Sequence, residues 1–197
     1  MSIFDSRAKQ WDKKDIRVNG AKVIADAIKK EIQLTQNMKI IDFGVGTGLL
    51  GFEIAKNVQQ VYGVDTSAGM IQALEEKNCD ELYIIPINQD IITQPLTQKF
   101  NGLVSSMTLH HVKEIDRFFE TIYNLLTEDG FIAIADLESE DGTFHSNNSG
   151  VHHFGFDEKK LYNSVKKAGF DEISIKTINT IKKPHNDFKI FLLTARR

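Results

Sequence analysis

The order of apolar patterns along the chain predicts an α/β fold: a single doubly wound, seven-stranded, mostly parallel sheet that ends in an antiparallel strand pair. Three observations carry this expectation. Helix-period and strand-period segments alternate over most of the 197 residues. The stretch IIDFGVGTGLLG, Ile40 to Gly51, joins an apolar strand to a helix through a glycine-rich turn. The last two apolar runs, Glu172–Ile178 and Asp187–Ala195, have no helix between them, only the short connector Asn179–Asn186 with Pro184, and so must run antiparallel.

The elements follow in order. Ala21, Ile24, Ala25, Ile28 and Ile32 repeat at the 3.6-residue period and predict a helix over Asp15–Glu31. Strand one is Lys39–Phe43, and a helix over Leu49–Lys56 follows the glycine turn. Strand two, Gln60–Val64, ends at Asp65, and Ser67 is placed to cap a helix carrying Met70, Ile71 and Leu74. Strand three is read as Glu81–Ile85 with Pro86 marking its end, and strand four as Gly102–Ser106. Ile115, Phe118, Phe119, Ile122, Leu125 and Leu126 form one stripe of a helix that Asp129-Gly130 is expected to end. Strand five is Phe131–Ala135, reaching Asp136, and a last helix spans Asp157–Ala168, stopped by Gly169. No repeat or low-complexity linker interrupts the chain, so residues 1–197 read as one domain, with a helical cap over 1–36 and a polar lid segment over 137–156.

Composition excludes several classes. An apolar fraction of 41% and a charged fraction of 26% fit a soluble globular domain. A net charge of −3 leaves no basic footprint for nucleic acid. The N-terminal MSIFDSRAKQWDKK lacks an apolar core of the signal-peptide kind, no run is long enough for a membrane span, and the one cysteine, Cys79, suits a reducing compartment. The expectation is a cytoplasmic protein without nucleic-acid or membrane partners.

The glycine turn has two registers. Gly46-Thr47-Gly48-Leu49-Leu50-Gly51 spells the GxGxxG of dinucleotide sites. In that register Asp42 sits at the edge of the anion site and repels a diphosphate. In the other, Asp42-Phe43-Gly44-Val45-Gly46-Thr47-Gly48, the same carboxylate faces a cationic ligand, and the glycines admit a nucleoside close to the backbone. Asp65, an acid at the end of strand two, suits a ribose in either case. The terminal antiparallel pair and the lack of a second domain favour the second register.

With these features, and with Asn88-Gln89-Asp90-Ile91, the SSMTLHHV stretch and the opening FDSRAKQWD, the chain resembles the class I S-adenosylmethionine-dependent methyltransferases, and its start resembles the ubiquinone/menaquinone-type branch. The resemblance implies a Rossmann-like fold, S-adenosyl-L-methionine as cofactor and a small or medium organic molecule as methyl acceptor. It also implies a site. Asp42, Gly44, Gly46 and Gly48 hold the methionine end; Asp65, with Thr66, binds the ribose. Met70 lines the adenine or is a core residue of its helix. Asp90 receives the adenine amino group, with Gln89 and Ile91 beside it. Ser106 and Met107 present backbone near the sulfonium. Trp11 and Arg17 cover the cofactor, unless Arg17 is a surface residue.

The acceptor is narrowed by exclusion. The Asn/Asp-Pro-Pro-Tyr/Phe turn of amino-group enzymes is replaced by Ser105-Ser106-Met107-Thr108, and Cys79, flanked by Asn78 and Asp80, does not suit a cytosine-directed nucleophile. Strand four ends without an acid to join Asp136 in a catechol-type metal site, and His145, His152 and His153 with Glu138 and Asp141 match no tight ligand spacing, so no metal is expected. These three histidines read as solvent-facing members of a lid. His110 and His153 are the candidates for a general base, where the acceptor requires one. Two other readings stand beside this one: a nicotinamide-dependent oxidoreductase, and a non-catalytic module that keeps the cofactor pocket.

Overall fold

The computed structural model describes residues 4–197. Its seven-stranded sheet has the order β3-β2-β1-β4-β5-β7-β6, formed by β1 (Lys39–Phe43), β2 (Gln60–Asp65), β3 (Ile84–Asn88), β4 (Phe100–Ser106), β5 (Leu126–Leu137), β6 (Asp171–Lys183) and β7 (Asn186–Arg196). Neighbours among β1 to β5 pair parallel, while β7 runs antiparallel to both β5 and β6. The strand order reverses between β1 and β4, and the crevice of such a sheet opens there, at the carboxyl ends of the strands. Among the described residues, no helix is long and apolar enough to cross a membrane.

The parallel strands are apolar on both faces because helices cover both. Ile40, Val61 and Val104 pack with Ile24 and Ile28 of α1 (Asp15–Glu31), Ile54 of α2 (Leu49–Ala55) and Leu74 of α3 (Ala68–Glu75). The alternate residues Ile41, Leu103 and Ile132 pack on the other face with Phe118, Phe119 and Ile122 of α4 (Ile115–Leu125) and with Leu161 and Val165 of α5 (Glu158–Lys167). Ser67 caps α3 as its position predicts, accepting the Met70 N–H at 3.2 Å.

Three expectations change. Pro86 lies inside β3 and not at its end, in register with Gly63. β3 is the edge strand of the sheet, where a residue without an N–H is tolerated, provided that the missing donor faces outward. Asp129-Gly130 does not end α4: the helix closes at Leu125, and Asp129, with φ +61°, turns the chain within the irregular start of β5. The terminal strands are longer than their apolar runs. They continue through the polar pairs Lys182↔Asp187 and Lys183↔Asn186, and only Pro184 and His185 separate them.

Ahead of β1, a 3-10 helix over Asp5–Lys13 precedes α1; the first three residues of the expected cap over 1–36 lie outside the described residues. The 3-10 helix docks through carboxylates. Asp5 accepts from Ser67 Oγ at 2.6 Å and Gly69 N–H at 3.1 Å, and Asp12 accepts from Thr47 Oγ1 at 2.6 Å and Lys77 Nζ at 2.7 Å. The segment after β5 is irregular but anchored. Ser139 and Glu140 N–H groups donate to Phe156 and Phe154 carbonyls, and Gly155, at φ +69°, runs so close to Glu138 that a Cβ would lie 2.0 Å from its carbonyl oxygen.

The junction of β4 and β5 is tightest at Gly102, where a Cβ would lie 2.4 Å from the buried ring of Phe131. Gly102→Ala should therefore destabilise the fold by about 1–3 kcal/mol through overpacking. The added substitution Phe131→Leu should recover part of that loss, as read by thermal unfolding of the single and double variants.

Candidate functional site

The polar centre of the molecule is made by strand ends. Asp42 is the fourth residue of β1, and its side chain is 1% exposed. Its Oδ2 is the one buried side-chain polar atom without a hydrogen-bond partner among the described residues. Burial first, and the nearby Asp65 second, push the Asp42 carboxyl up to about 8. Asp65, at the end of β2, is better supplied: its oxygens accept the Gly46 N–H at 2.9 Å and the Ser67 N–H at 2.8 Å. Burial still raises its pKa, with these backbone donors opposing.

The turn between them fits the register with Asp42 as its acid. Gly44, Gly46 and Gly48 all have positive φ, +70°, +53° and +85°. They differ in what surrounds them. A Cβ on Gly44 would strike Thr108 at 2.2 Å, and one on Gly48 would strike Phe52 at 2.8 Å, whereas Gly46 has nothing nearer than Met70 Sδ at 4.0 Å. Gly46 thus faces open space, and that space is a cleft of about 1100 Å³ at the carboxyl ends of the strands.

Most of the residues singled out in the sequence meet at this cleft. Asp42, Gly44, Gly46, Asp65, Thr66, Met70, Gln89, Asp90, Ser106 and Met107 line it, and so do Trp11 and Arg17. Met70 satisfies both of its readings, being 2% exposed within α3 and part of the wall. Arg17 is not a plain surface residue: its guanidinium stacks 3.6 Å from the Trp11 ring and donates to the Trp11 carbonyl at 3.2 Å. Met107 holds a left-handed φ of +56°, rare for a side chain of its size, right at the end of β4.

Two residues lie elsewhere. Gly48 precedes α2 with left-handed backbone and is turned toward Phe52 and Ile84. Ile91 is fully buried in the core under α4, and its neighbour Ile92 takes the place at the cleft.

The far end of the cleft is formed by histidines. His110, in a short 3-10 turn after β4, is 1% exposed, and its Nδ1 lies 2.7 Å from Asp136 Oδ1. His145 Nε2 lies 3.1 Å from His110 Nε2, and His111 Nδ1 lies 2.7 Å from the Gly150 carbonyl. His145 is therefore not the solvent-facing residue that its polar surroundings suggest. It is half-buried, and burial, followed by the charges of His110 and His111, brings its pKa down to about 4. His152 and His153 are not among the residues that line the cleft; His153 Nε2 is bound to the Val112 carbonyl at 2.9 Å, and Phe154 is 47% exposed. Phe144 does line the cleft, under the Lys183 ammonium at 3.9 Å from its ring centroid. No spacing signal linked His145 to His110, because they lie on separate segments joined only by the fold. Asp5 and Asp12 were missed for the same reason.

With this geometry in view, the relatives can be placed. Residues 41–134, from β1 to β5, match the family described as "Methyltransferase domain". An uncharacterised methyltransferase of Schizosaccharomyces pombe is 29% identical over 159 residues, covering 70% of this chain and 55% of its own length. Among solved structures, phosphoethanolamine N-methyltransferase 2 of Haemonchus contortus, in complex with S-adenosyl-L-methionine, superimposes with a TM-score of 0.71 at 16% identity, over 100% of this chain and 60% of its own. A Haloferax volcanii protein solved in complex with the methyltransferase activator Trm112 gives a TM-score of 0.77 at 15% identity, over 100% and 98%. The fold is that of the class I S-adenosylmethionine-dependent methyltransferases, and the match to the methyltransferase family spans just under half of the chain. It spans little more than half the length of the Schizosaccharomyces relative.

Asp42 gives a pH-dependent prediction. Its carboxyl titrates near 8 when folded and near 4 when unfolded. Between these values the folded chain holds a proton that the unfolded chain has lost, so this group makes stability fall as pH rises from about 4 to about 8. Asp42→Asn removes that fall. Its melting temperature, compared with the wild type across this range without ligand, should gain steadily and lead by a few degrees at pH 8.

Proposed function

We propose that the chain transfers a methyl group from S-adenosylmethionine to a small or medium organic acceptor. The observation that carries this reading is the buried Asp42, its Oδ2 without a hydrogen-bond partner, in the wall of the same cleft onto which Gly46 opens. A buried carboxylate without a donor is costly. A cationic amino-acid head restores its charge and supplies the missing donor, whereas the diphosphate of a nicotinamide cofactor offers Asp42 and Asp65 neither a positive charge nor a donor. The oxidoreductase reading therefore falls behind.

When bound, the cofactor supplies a methyl group already activated on a sulfonium. The chain's residues then have these roles. Asp42 and the Gly44–Gly46 backbone hold the methionine end, with Arg17 reaching the carboxylate. Asp65 and Thr66 take the ribose hydroxyls. Met70 closes one side of the adenine, and Asp90 and Gln89 offer polar groups at its edge; Asp90 still has acceptor capacity beyond the Ile92 N–H and Thr93 hydroxyl that it binds. The backbone of Ser106 and Met107 borders the transfer point. Such a displacement needs alignment and exclusion of water more than acid–base chemistry. The acceptor enters between Phe144, His145 and Lys183. Burial lowers the Lys183 pKa at this rim, with Glu140 opposing and Lys14 adding a smaller repulsion. An acceptor carrying negative charge would offset the cost of burying this ammonium.

Two measurements test the reading. S-adenosylmethionine or S-adenosylhomocysteine at 100-fold excess over Kd should stabilise the protein by about 2.7 kcal/mol, and NADH should give no shift. Gly46→Val, whose side chain enters the cleft and also strains a left-handed backbone, should abolish this shift and lower the ligand-free melting temperature while the far-ultraviolet spectrum stays that of the wild type; retained micromolar binding by calorimetry would show that the turn does not approach the cofactor.

A further inference from the structure

His110, His111 and His145 each bring one ring nitrogen within 4.8 Å of the other two. We propose that these three imidazoles bind a divalent transition-metal ion of the zinc type, with its remaining coordination position open to the cleft.

The hydrogen bonds around the rings prepare them for this. Asp136 accepts at 2.7 Å from His110 Nδ1 and at 3.1 Å from the His110 N–H, so the ring is fixed and its lone pair is on Nε2. A carbonyl only accepts, so His111 carries its proton on Nδ1, toward Gly150, and its other nitrogen is free. Carboxylate and carbonyl partners of this kind orient metal-bound histidines. His145 Nε2 lies 3.1 Å from His110 Nε2. Tetrahedral ligands at about 2.0–2.1 Å from zinc stand roughly 3.3 Å apart, close to this spacing. In the metal-free chain one of these facing nitrogens must donate to the other. Coordination moves the His145 proton to Nδ1 and frees both lone pairs for the ion. His110 is pinned and buried, and His111 and His145 are half-buried, so the small rotations that close the triangle fall on the two residues able to make them. Three neutral imidazoles with no thiolate or carboxylate ligand select zinc-like ions over magnesium or calcium. All three residues line the cleft, so the open position faces the acceptor. This reverses the expectation of a metal-free protein, and it assigns the His110 lone pair to a metal in place of a role as general base.

The inference stands apart from the methyltransferase reading, and its test reads the metal directly. The chelator-stripped full chain is titrated with Co2+ and then Zn2+. One equivalent of Co2+ should produce the intense visible absorption of a four-coordinate ion, and Zn2+ should displace it. His145→Ala and His111→Ala should each weaken binding at least tenfold, and His152→Ala, outside the triangle, should leave it unchanged. S-adenosylhomocysteine affinity, followed in parallel, should persist in His145→Ala and so separate loss of metal from loss of fold. A six-coordinate cobalt spectrum, or equal affinity in the wild type and both ligand variants, would overturn the proposal. So would a loss in His152→Ala as large as that in His145→Ala.

Discussion

The burial of two carboxylates at the ends of adjacent parallel strands is the constraint around which this molecule is arranged. Asp42 and Asp65 are brought together by the register of β1 on β2, and apolar packing on both faces of the sheet withholds water from them. Asp65 is kept tolerable by the amides of Gly46 and Ser67. The Gly46 amide reaches it from the left-handed turn through Gly44, Gly46 and Gly48, and the Ser67 amide from the turn that follows β2. Asp42 receives less, and its raised pKa measures the shortfall. Sites that must bind a cation are often left in such a state: the destabilisation in the free protein becomes affinity when the partner arrives.

The neighbouring elements protect this arrangement. Lys77 binds both Asp12, at 2.7 Å, and the Thr47 carbonyl, at 2.6 Å, while Asp12 accepts from the Thr47 hydroxyl. The N-terminal 3-10 helix, the glycine turn and the end of α3 are thereby tied to one another beside the cleft. The stacked Arg17 and Trp11 then form a wall that no single segment could hold alone.

The strand-end half of the cleft was legible in the sequence because it is contiguous. Five residues of β1 and the turn after it set the position of Asp42 and the glycines, and periodicity places β2 so that Asp65 lands beside them. Errors arose where one residue decides a face. Ile91 and Ile92 are both apolar, and only the turn after β3 settles that the first enters the core and the second meets the cleft. Pro86 was read as a terminator because its sequence does not reveal that β3 is an edge strand. The histidine end of the cleft was not legible at all: His110, Asp136 and His145 come from three separate segments. A polar stretch such as Glu138 to Phe154 looks solvated until the fold presses one of its residues against a buried ring.

That stretch is held more firmly than its composition suggests, and the way it is held links it to the cleft. The His152 and His153 amides donate to the His110 carbonyl at 2.9 and 3.2 Å, and the Gly150 carbonyl is bound by His111. At its base the Glu138–Phe156 bridge closes the segment into a loop. Any closing motion must therefore keep these contacts and move the tip from Asp141 to Asn147, or break them and disturb His110 and His111 at the same time. The tip has turns of its own, with Glu140 and Asp141 accepting the amides of Gly142 and Thr143, and is held to the fold by Phe144 against Phe188 and Lys183 and by His145 against His110. His145 and Phe144 ride on that tip. Because His145 Nε2 already lies 3.1 Å from His110 Nε2, a movement of the tip changes that contact first, while the strand ends that carry Asp42 and Asp65 stay fixed by the sheet.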